Sequence, residues 1–302
     1  MVVLALICGY IATSVIFLKY PTVIHKKKNL KFRPRHISHR GGAGESLENT
    51  MAAFQHSCGQ GTEMFETDCH ITKDRQVVVS HDNCLERICG SNIDIIDTEY
   101  NDLPLLSSSL PLDFSSDICV GGEDRKIPLL RDLFQAFPHM PINIDIKIDN
   151  DDLIQNVNSL IKEFDREDLT VWGHKNSSVG NRMYKVNPNI PLFFSFQRVL
   201  MLLFLFYTGL LPFFPIKESL LEIVMPDIIL ERQGSSAFLT NFRLLMRPAL
   251  FRHLEKRGIQ TYLWVVNEER HFERAFKLGV TGVMTDFPTR LQHFLQKSGL
   301  MK

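Results

Sequence analysis

Ile142-Asn143-Ile144-Asp145-Ile146-Lys147-Ile148 alternates apolar and polar residues without a break. Successive side chains of a strand point to opposite faces, so Asn143, Asp145 and Lys147 share one face and the isoleucines the other. In a half-exposed sheet the polar face would point to water. In a closed parallel barrel the isoleucines pack on surrounding helices and the polar face points inward, bringing a carboxylate and an ammonium inside the fold. The fold therefore turns on whether the sheet closes.

Outward from this stretch, short runs rich in Val and Ile alternate with segments of helical period, the layout of β/α units on a parallel sheet. Eight strand candidates can be placed, at 36–41, 64–71, 142–148, 169–173, 190–196, 223–230, 260–266 and 282–286, with helices at 47–57, 129–137, 152–164, 247–257 and 268–278. Eight is the number a (β/α)8 TIM barrel requires, so the chain is read as an α/β protein with one such barrel over 36–292; a doubly wound sheet is the rival. Region 81–126, rich in Ser, Gly, Asn and Asp and poor in periodicity, reads as a small insertion after the second strand.

With 302 residues, 44% of them hydrophobic, the chain can bury a large core, which excludes disorder. Its 34 basic residues balance 34 acidic ones, leaving no net field for a nucleic acid. Nothing points to a protein partner. Six cysteines lie at positions 8 to 119 with no CxxC pair, neither a zinc-finger spacing nor a disulfide framework; they read as small buried hydrophobes in a reduced compartment.

Two apolar stretches concern the membrane. Residues 2–18 carry no charge and are followed by Lys19, Lys26, Lys27, Lys28, Lys31, Arg33 and Arg35. Positive charge after the apolar run, rather than before it, indicates an uncleaved transmembrane anchor over 1–19 with the barrel on the cytosolic side. The second stretch, 199–214, lies between Arg198 and Lys217 and contains Gly209 and Pro212. A span here would put later strands across the membrane from earlier ones, and one barrel would not form. It is expected to be a membrane-contacting lid, interfacial or re-entrant, beside the site's mouth; a buried core helix is the alternative.

Several residues carry chemistry. His39 and Arg40 follow the first strand, at the carboxyl end where barrel enzymes build their sites. Glu66 and Asp68 lie two apart on the second strand and share its inner face, where like charges repel unless a cation intervenes. With Asp145 they form a hard-oxygen set suited to Mg2+ or Ca2+ rather than structural zinc. Lys147 suits a phosphate. His81, after Val77-Val78-Val79, supplies a second imidazole titrating near neutrality. Both imidazoles are read as surface-like groups whose loss leaves the fold intact. Trp264 is either a platform for a glycerol or acyl group or simply core.

Taken in order, His39-Arg40-Gly41, Glu48-Asn49-Thr50, Glu66-x-Asp68, His81-Asp82 and Asp145-x-Lys147 closely resemble the glycerophosphodiester phosphodiesterase family, and its membrane-anchored lysophospholipase D members most of all. The resemblance implies His39 and His81 as general acid and base, Glu66, Asp68 and Asp145 as ligands of one divalent ion, and Arg40 and Lys147 as phosphate contacts. It implies a lysophospholipid substrate, lysophosphatidylcholine or an N-acyl-lysophosphatidylethanolamine; the short anchor favours a thin bilayer, which points to an endoplasmic reticulum or perinuclear membrane. Two departures stand out: many members have Glu where Asp145 stands, leaving Mg2+ or Ca2+ open, and Pro where Leu47 stands. A soluble phosphodiesterase acting on glycerophosphocholine and a non-catalytic lipid-binding protein are the competing readings. The attacking group, water or the neighbouring glycerol hydroxyl, stays open.

Overall fold

The computed structural model describes residues 1–233 and 243–300. Its strands are β1 His36–Ser38, β2 Met64–Ile71, β3 Val77–Val79, β4 Ser109–Pro111, β5 Ile118–Val120, β6 Ile142–Ile146, β7 Thr170–Gly173, β8 Leu220–Val224, β9 Gln260–Trp264 and β10 Gly282–Thr285. Seven of them pair in parallel in the order β7-β6-β2-β1-β10-β9-β8. The expected fifth strand links the two ends of this path. It makes only two parallel bridges, Trp172 with Leu192 and Phe193 with Leu220. The Trp172 N–H donates to the Pro191 carbonyl (3.0 Å) and the Phe194 N–H to the Leu220 carbonyl (3.0 Å). Pro191 has no N–H to give, and a helix starts at Phe196, so this stave is shorter than the sequence pattern suggests. It is enough to close the ring.

Closure decides the faces of 142–148. Ile142, Ile144 and Ile146 are buried in one outer cluster with Leu133, Leu153 and Val157 of the surrounding helices, while Asn143, Asp145 and Lys147 line the central cavity. The cavity's floor is apolar: Ile37, Met64, Leu220, Tyr262 and Met284 pack together, with Phe32 beneath.

The helices are α1 Val2–Lys19, α2 Met51–Gly59, α3 Glu86–Cys89, α4 Leu130–Ala136, α5 Asp151–Glu163, α6 Ser177–Val186, α7 Phe196–Tyr207 and α8 Pro226–Gln233, then Pro248–Lys256, Glu269–Leu278 and Pro288–Lys297. Helix α2 starts four residues later than expected. Asn49 adopts a left-handed φ of 59°, and Thr50 caps the helix by accepting from the Ala53 N–H (3.2 Å), as a threonine N-cap does. The sixth strand also differs from the expected 223–230. It ends at Val224, and Pro226 opens α8, where its missing N–H costs the helix nothing.

The 81–126 region holds more structure than its sequence suggests. Antiparallel β4 and β5 form a hairpin, and Leu85, Ile88, Ile95, Leu110 and Cys119 give the region its own small core. All six cysteines are free, but only Cys69 and Cys119 are buried. Cys8 is exposed on α1, so the reading of all six as buried hydrophobes holds for two.

Helix α1 has a mean hydropathy of 2.2 over 18 residues and is long and apolar enough to cross a membrane. Its end is tied to the barrel: His253 Nδ1 donates to the Leu18 carbonyl (2.9 Å) and Lys256 Nζ to the Lys19 carbonyl (2.8 Å).

Two outcomes follow for stability. The Phe65 ring is fully buried between Phe54 and Phe137, at centroid distances of 5.1 and 5.0 Å, so Phe65→Ala is expected to lower the unfolding free energy by about 3–5 kcal/mol. Urea unfolding in detergent measures this, with exposed Val120→Ala expected within about 0.5 kcal/mol of the parent. His36, His70 and His253 are pushed down to about 4 by burial, below the unfolded value of about 6.5. Their contribution is present above the unfolded value and lost as pH falls toward the folded one. Tm should therefore drop between neutral and acidic buffer, and drop less in His36→Gln.

Candidate active site

The barrel's carboxyl end opens into a cavity of about 640 Å³ lined by all eight residues singled out from sequence: His39, Arg40, Glu66, Asp68, His81, Asp145, Lys147 and Trp264. Glu66 and Asp68 point inward from β2, opposite Asn143 and Asp145 of β6 in the sheet register.

The His39-Arg40-Gly41-Gly42 turn needs an unusual backbone. Arg40, Gly41 and Gly42 all have positive φ, at 49°, 77° and 96°. A Cβ on Gly42 would come within 2.8 Å of the Pro288 ring, so glycine is required there. At Arg40 the strain of a left-handed non-glycine residue serves the site: the Arg40 N–H donates to Glu66 Oε2 (2.9 Å). Its guanidinium faces Glu48 (3.1 Å), Asp113 (2.9 Å) and Asp68 (3.6 Å).

His39 is buried, contrary to the surface-like reading. Its Nδ1 donates to Asp286 Oδ1 (2.7 Å), and Nε2 stands 3.9 Å from Glu66. Asp286 is held in turn by Asn267 Nδ2 on its second oxygen (2.9 Å). Burial alone would lower the His39 pKa, but Asp286 and Glu66 outweigh it and the net shift is upward. Half-exposed His81 is built the same way. Its Nδ1 donates to Asp82 (2.6 Å), which accepts from Arg87 Nε (2.5 Å). Each imidazole thus presents Nε2 for proton transfer, oriented by a carboxylate on the other nitrogen.

Glu48-Asn49-Thr50 is the hub between the two halves. Glu48 accepts from Arg40 and, with both oxygens, from Arg87 (2.6 and 2.9 Å). Asn49 Nδ2 donates to Asp68 (3.1 Å) while its oxygen accepts from Thr67 (2.9 Å).

Burial, then Asp68, pushes Glu66 up to about 7. Asp68 goes the other way: burial opposes ionisation, but Lys147 and Arg40 hold it well below the usual carboxylate range. Lys147 Nζ lies 3.2 Å from Asp68 and 2.9 Å from Asp145. These contacts keep its ammonium charged against burial.

Four contributors escaped sequence reading. Asp286 sits in Thr285-Asp286-Phe287-Pro288, after the last strand; a carboxylate at a strand's carboxyl end was the available signal. Glu222 points into the cavity and accepts from Asn143 (3.0 Å), its pKa raised well above normal by burial; it was missed because strand six was placed three residues late. Asp113 and Phe114 come from the β4–β5 tip. The Phe114 ring meets His39 (6.2 Å) and half-buried Trp264 (5.8 Å) edge-on, and no periodicity in the insertion announced it.

The profile of the glycerophosphoryl diester phosphodiesterase family matches residues 39–290. The chain belongs to that family. It is 54% identical over 295 residues to the human protein named lysophospholipase D GDPD1, covering 95% of this chain and 94% of that one. Identity to human lysophospholipase D GDPD3 is 40% over 299 residues, covering 96% and 94%. The crystal structure of a glycerophosphodiester phosphodiesterase from Agrobacterium tumefaciens superposes with a TM-score of 0.61 at 16% identity, covering 86% of this chain and 99% of that one. As a member of this family the chain is a phosphodiester hydrolase.

In this member of the family, Asp286→Asn removes the charge that orients His39 while keeping its shape. On the expectation that His39 serves as a general acid or base, kcat should fall roughly 10²- to 10⁴-fold, the scale of one such contribution, with KM changed little. The limb of the pH–rate profile that reports His39 should move to lower pH.

Proposed function

We propose that the chain is a membrane-anchored lysophospholipase D, hydrolysing the phosphodiester of a lysoglycerophospholipid to a lysophosphatidic acid and the free head-group alcohol. The observation that carries this reading is the division of the cavity lining: Arg40, Glu66, Asp68, Asp145 and Lys147 come from the turn after β1 and from β2 and β6, and Phe193, Phe194, Phe196, Val199 and Trp264 from the fifth stave, the helix after it and β9. A soluble diester such as glycerophosphocholine has no use for the aromatic lining, whereas an acyl chain does. The names of the two human relatives agree with this reading.

The donor set suits one divalent ion of the Mg2+ or Ca2+ type. Glu66, Asp68 and Asp145 supply hard oxygens, and the buried Asn143 Oδ1 beside Glu66 has no hydrogen-bond partner. Among the described residues no three such side chains stand close enough to enclose an ion, and the Lys147 ammonium occupies the space between Asp68 and Asp145. Glu66, Asp68 and Asp145 are the residues that would hold the ion, by drawing together as Lys147 leaves the space between Asp68 and Asp145, and the ion would supply charge neutralisation at the phosphate.

The chain's own groups divide the remaining work. Arg40 and Lys147 bind the non-bridging phosphate oxygens. One of His39 and His81 takes the proton of the attacking hydroxyl as its oxygen bonds to phosphorus. The other gives a proton to the departing choline or ethanolamine oxygen as the P–O bond breaks. The α1 anchor holds the barrel on the cytosolic side, at the endoplasmic reticulum or perinuclear membrane.

The test is choline release by the detergent-purified chain from lysophosphatidylcholine and from glycerophosphocholine, each with Mg2+, Ca2+ or EDTA. Release from the lysolipid, lost with EDTA and in Glu66→Ala, His39→Ala and His81→Ala, is the expected result. Release from glycerophosphocholine alone would overturn the lipid assignment. Full activity in EDTA would overturn the ion.

A further inference from the structure

Helix α7 is apolar on both sides. Val199, Leu202 and Leu205 are buried against the barrel. On the opposite side Leu200, Phe204 and Tyr207, spaced four and three residues apart, are 47, 62 and 49% exposed. The turn beyond adds exposed Phe213 and Phe214. A helix apolar all round requires an apolar medium on its outer face, and a continuous patch of this kind marks an interaction surface.

The neighbouring helix identifies that medium. Tyr10 Oη donates to the Thr208 carbonyl (2.6 Å) and Ser14 Oγ to the Gly209 carbonyl (2.7 Å). The Phe213 ring packs on Tyr10 and Phe17 at 6.4 and 5.9 Å. His25 Nε2 donates to the Pro212 carbonyl (2.7 Å). Three carbonyls left open where α7 ends are therefore supplied with donors by the amino-terminal segment, as irregular backbone at membrane depth requires. Ser14 and Tyr10 precede Lys19 by about 7.5 and 13.5 Å along the helix, at roughly 1.5 Å per residue. The Tyr10 and Ser14 contacts lie within the apolar length of α1, so whatever surrounds α1 at that height surrounds the turn at Thr208 and Gly209 as well.

Both ends of the stretch nevertheless meet at one point. Arg198 donates to Glu218 through two nitrogens (2.7 and 2.9 Å), and Glu218 is buried. Phe193 and Leu220, just outside these ends, pair in the same barrel wall. A segment that crossed a bilayer would place the two ends on opposite sides.

We propose that residues 196–214 form a re-entrant hairpin embedded in one leaflet of a phospholipid bilayer, entering beside α1 and returning to the side it left. The proposal is independent of which phosphodiester the site cleaves.

Its test uses the full chain carrying Cys8→Ser. In sealed microsomes, Lys162→Cys and Lys297→Cys are labelled with a membrane-impermeant maleimide and compared with the parent background. Both should label from the same side, with the same response to permeabilisation. Labelling of one only after permeabilisation would establish a span and overturn the proposal. In phosphatidylcholine vesicles with brominated acyl chains, bimane on Leu200→Cys and on Phe204→Cys should lose as much fluorescence as bimane on Ile11→Cys. No loss at either position would also overturn it, and would assign the apolar face to a protein surface. The two positions guard against the failure of a single variant.

Discussion

A handful of backbone hydrogen bonds at 191–194 joins β7 to β8 and turns an open sheet into a ring. Without them the alternation of β6 would offer Asn143, Asp145 and Lys147 to water. With them, the same alternation buries the isoleucines beneath helices and concentrates charge at the barrel's carboxyl end. The site's electrostatics depend on that closure: burial opposes ionisation of Glu66 and Asp68 alike, and Lys147 and Arg40, gathered beside Asp68, are what set the two apart in their affinity for a proton.

The charge inside is arranged in two arms, each ending on an imidazole. One runs from Asn267 through Asp286 to His39; the other from Arg87 through Asp82 to His81. Glu48 grips Arg87 and Arg40 together, so the turn after β1 and the loop after β3 are positioned by one side chain. Buried networks of this kind tolerate the loss of a member poorly, because the partner left behind keeps its charge without its counter-charge.

Much of this was legible in the sequence, because period-two alternation and the strand-end position of His39, Glu66, Asp68 and Asp145 are local properties. What escaped was set by tertiary structure or by turn chemistry. The fifth stave has too few ladder bonds to sustain a recognisable strand. Strand six was shifted because Ile228, Ile229 and Leu230 look like strand, while the Pro226 that starts a helix was overlooked. Asp286 becomes an orienting group only when β10 lies beside β1, 247 residues away along the chain. Phe114 reaches the cavity only because the insertion folds on its own small core.

The Asp113–Arg40 pair carries one more consequence. Arg40 is already matched by carboxylates before any ligand arrives, so an incoming anion gains little from charge alone. Any anion that came to this guanidinium would have to displace one already there, exchanging with the carboxylate of the β4–β5 hairpin rather than filling an open place.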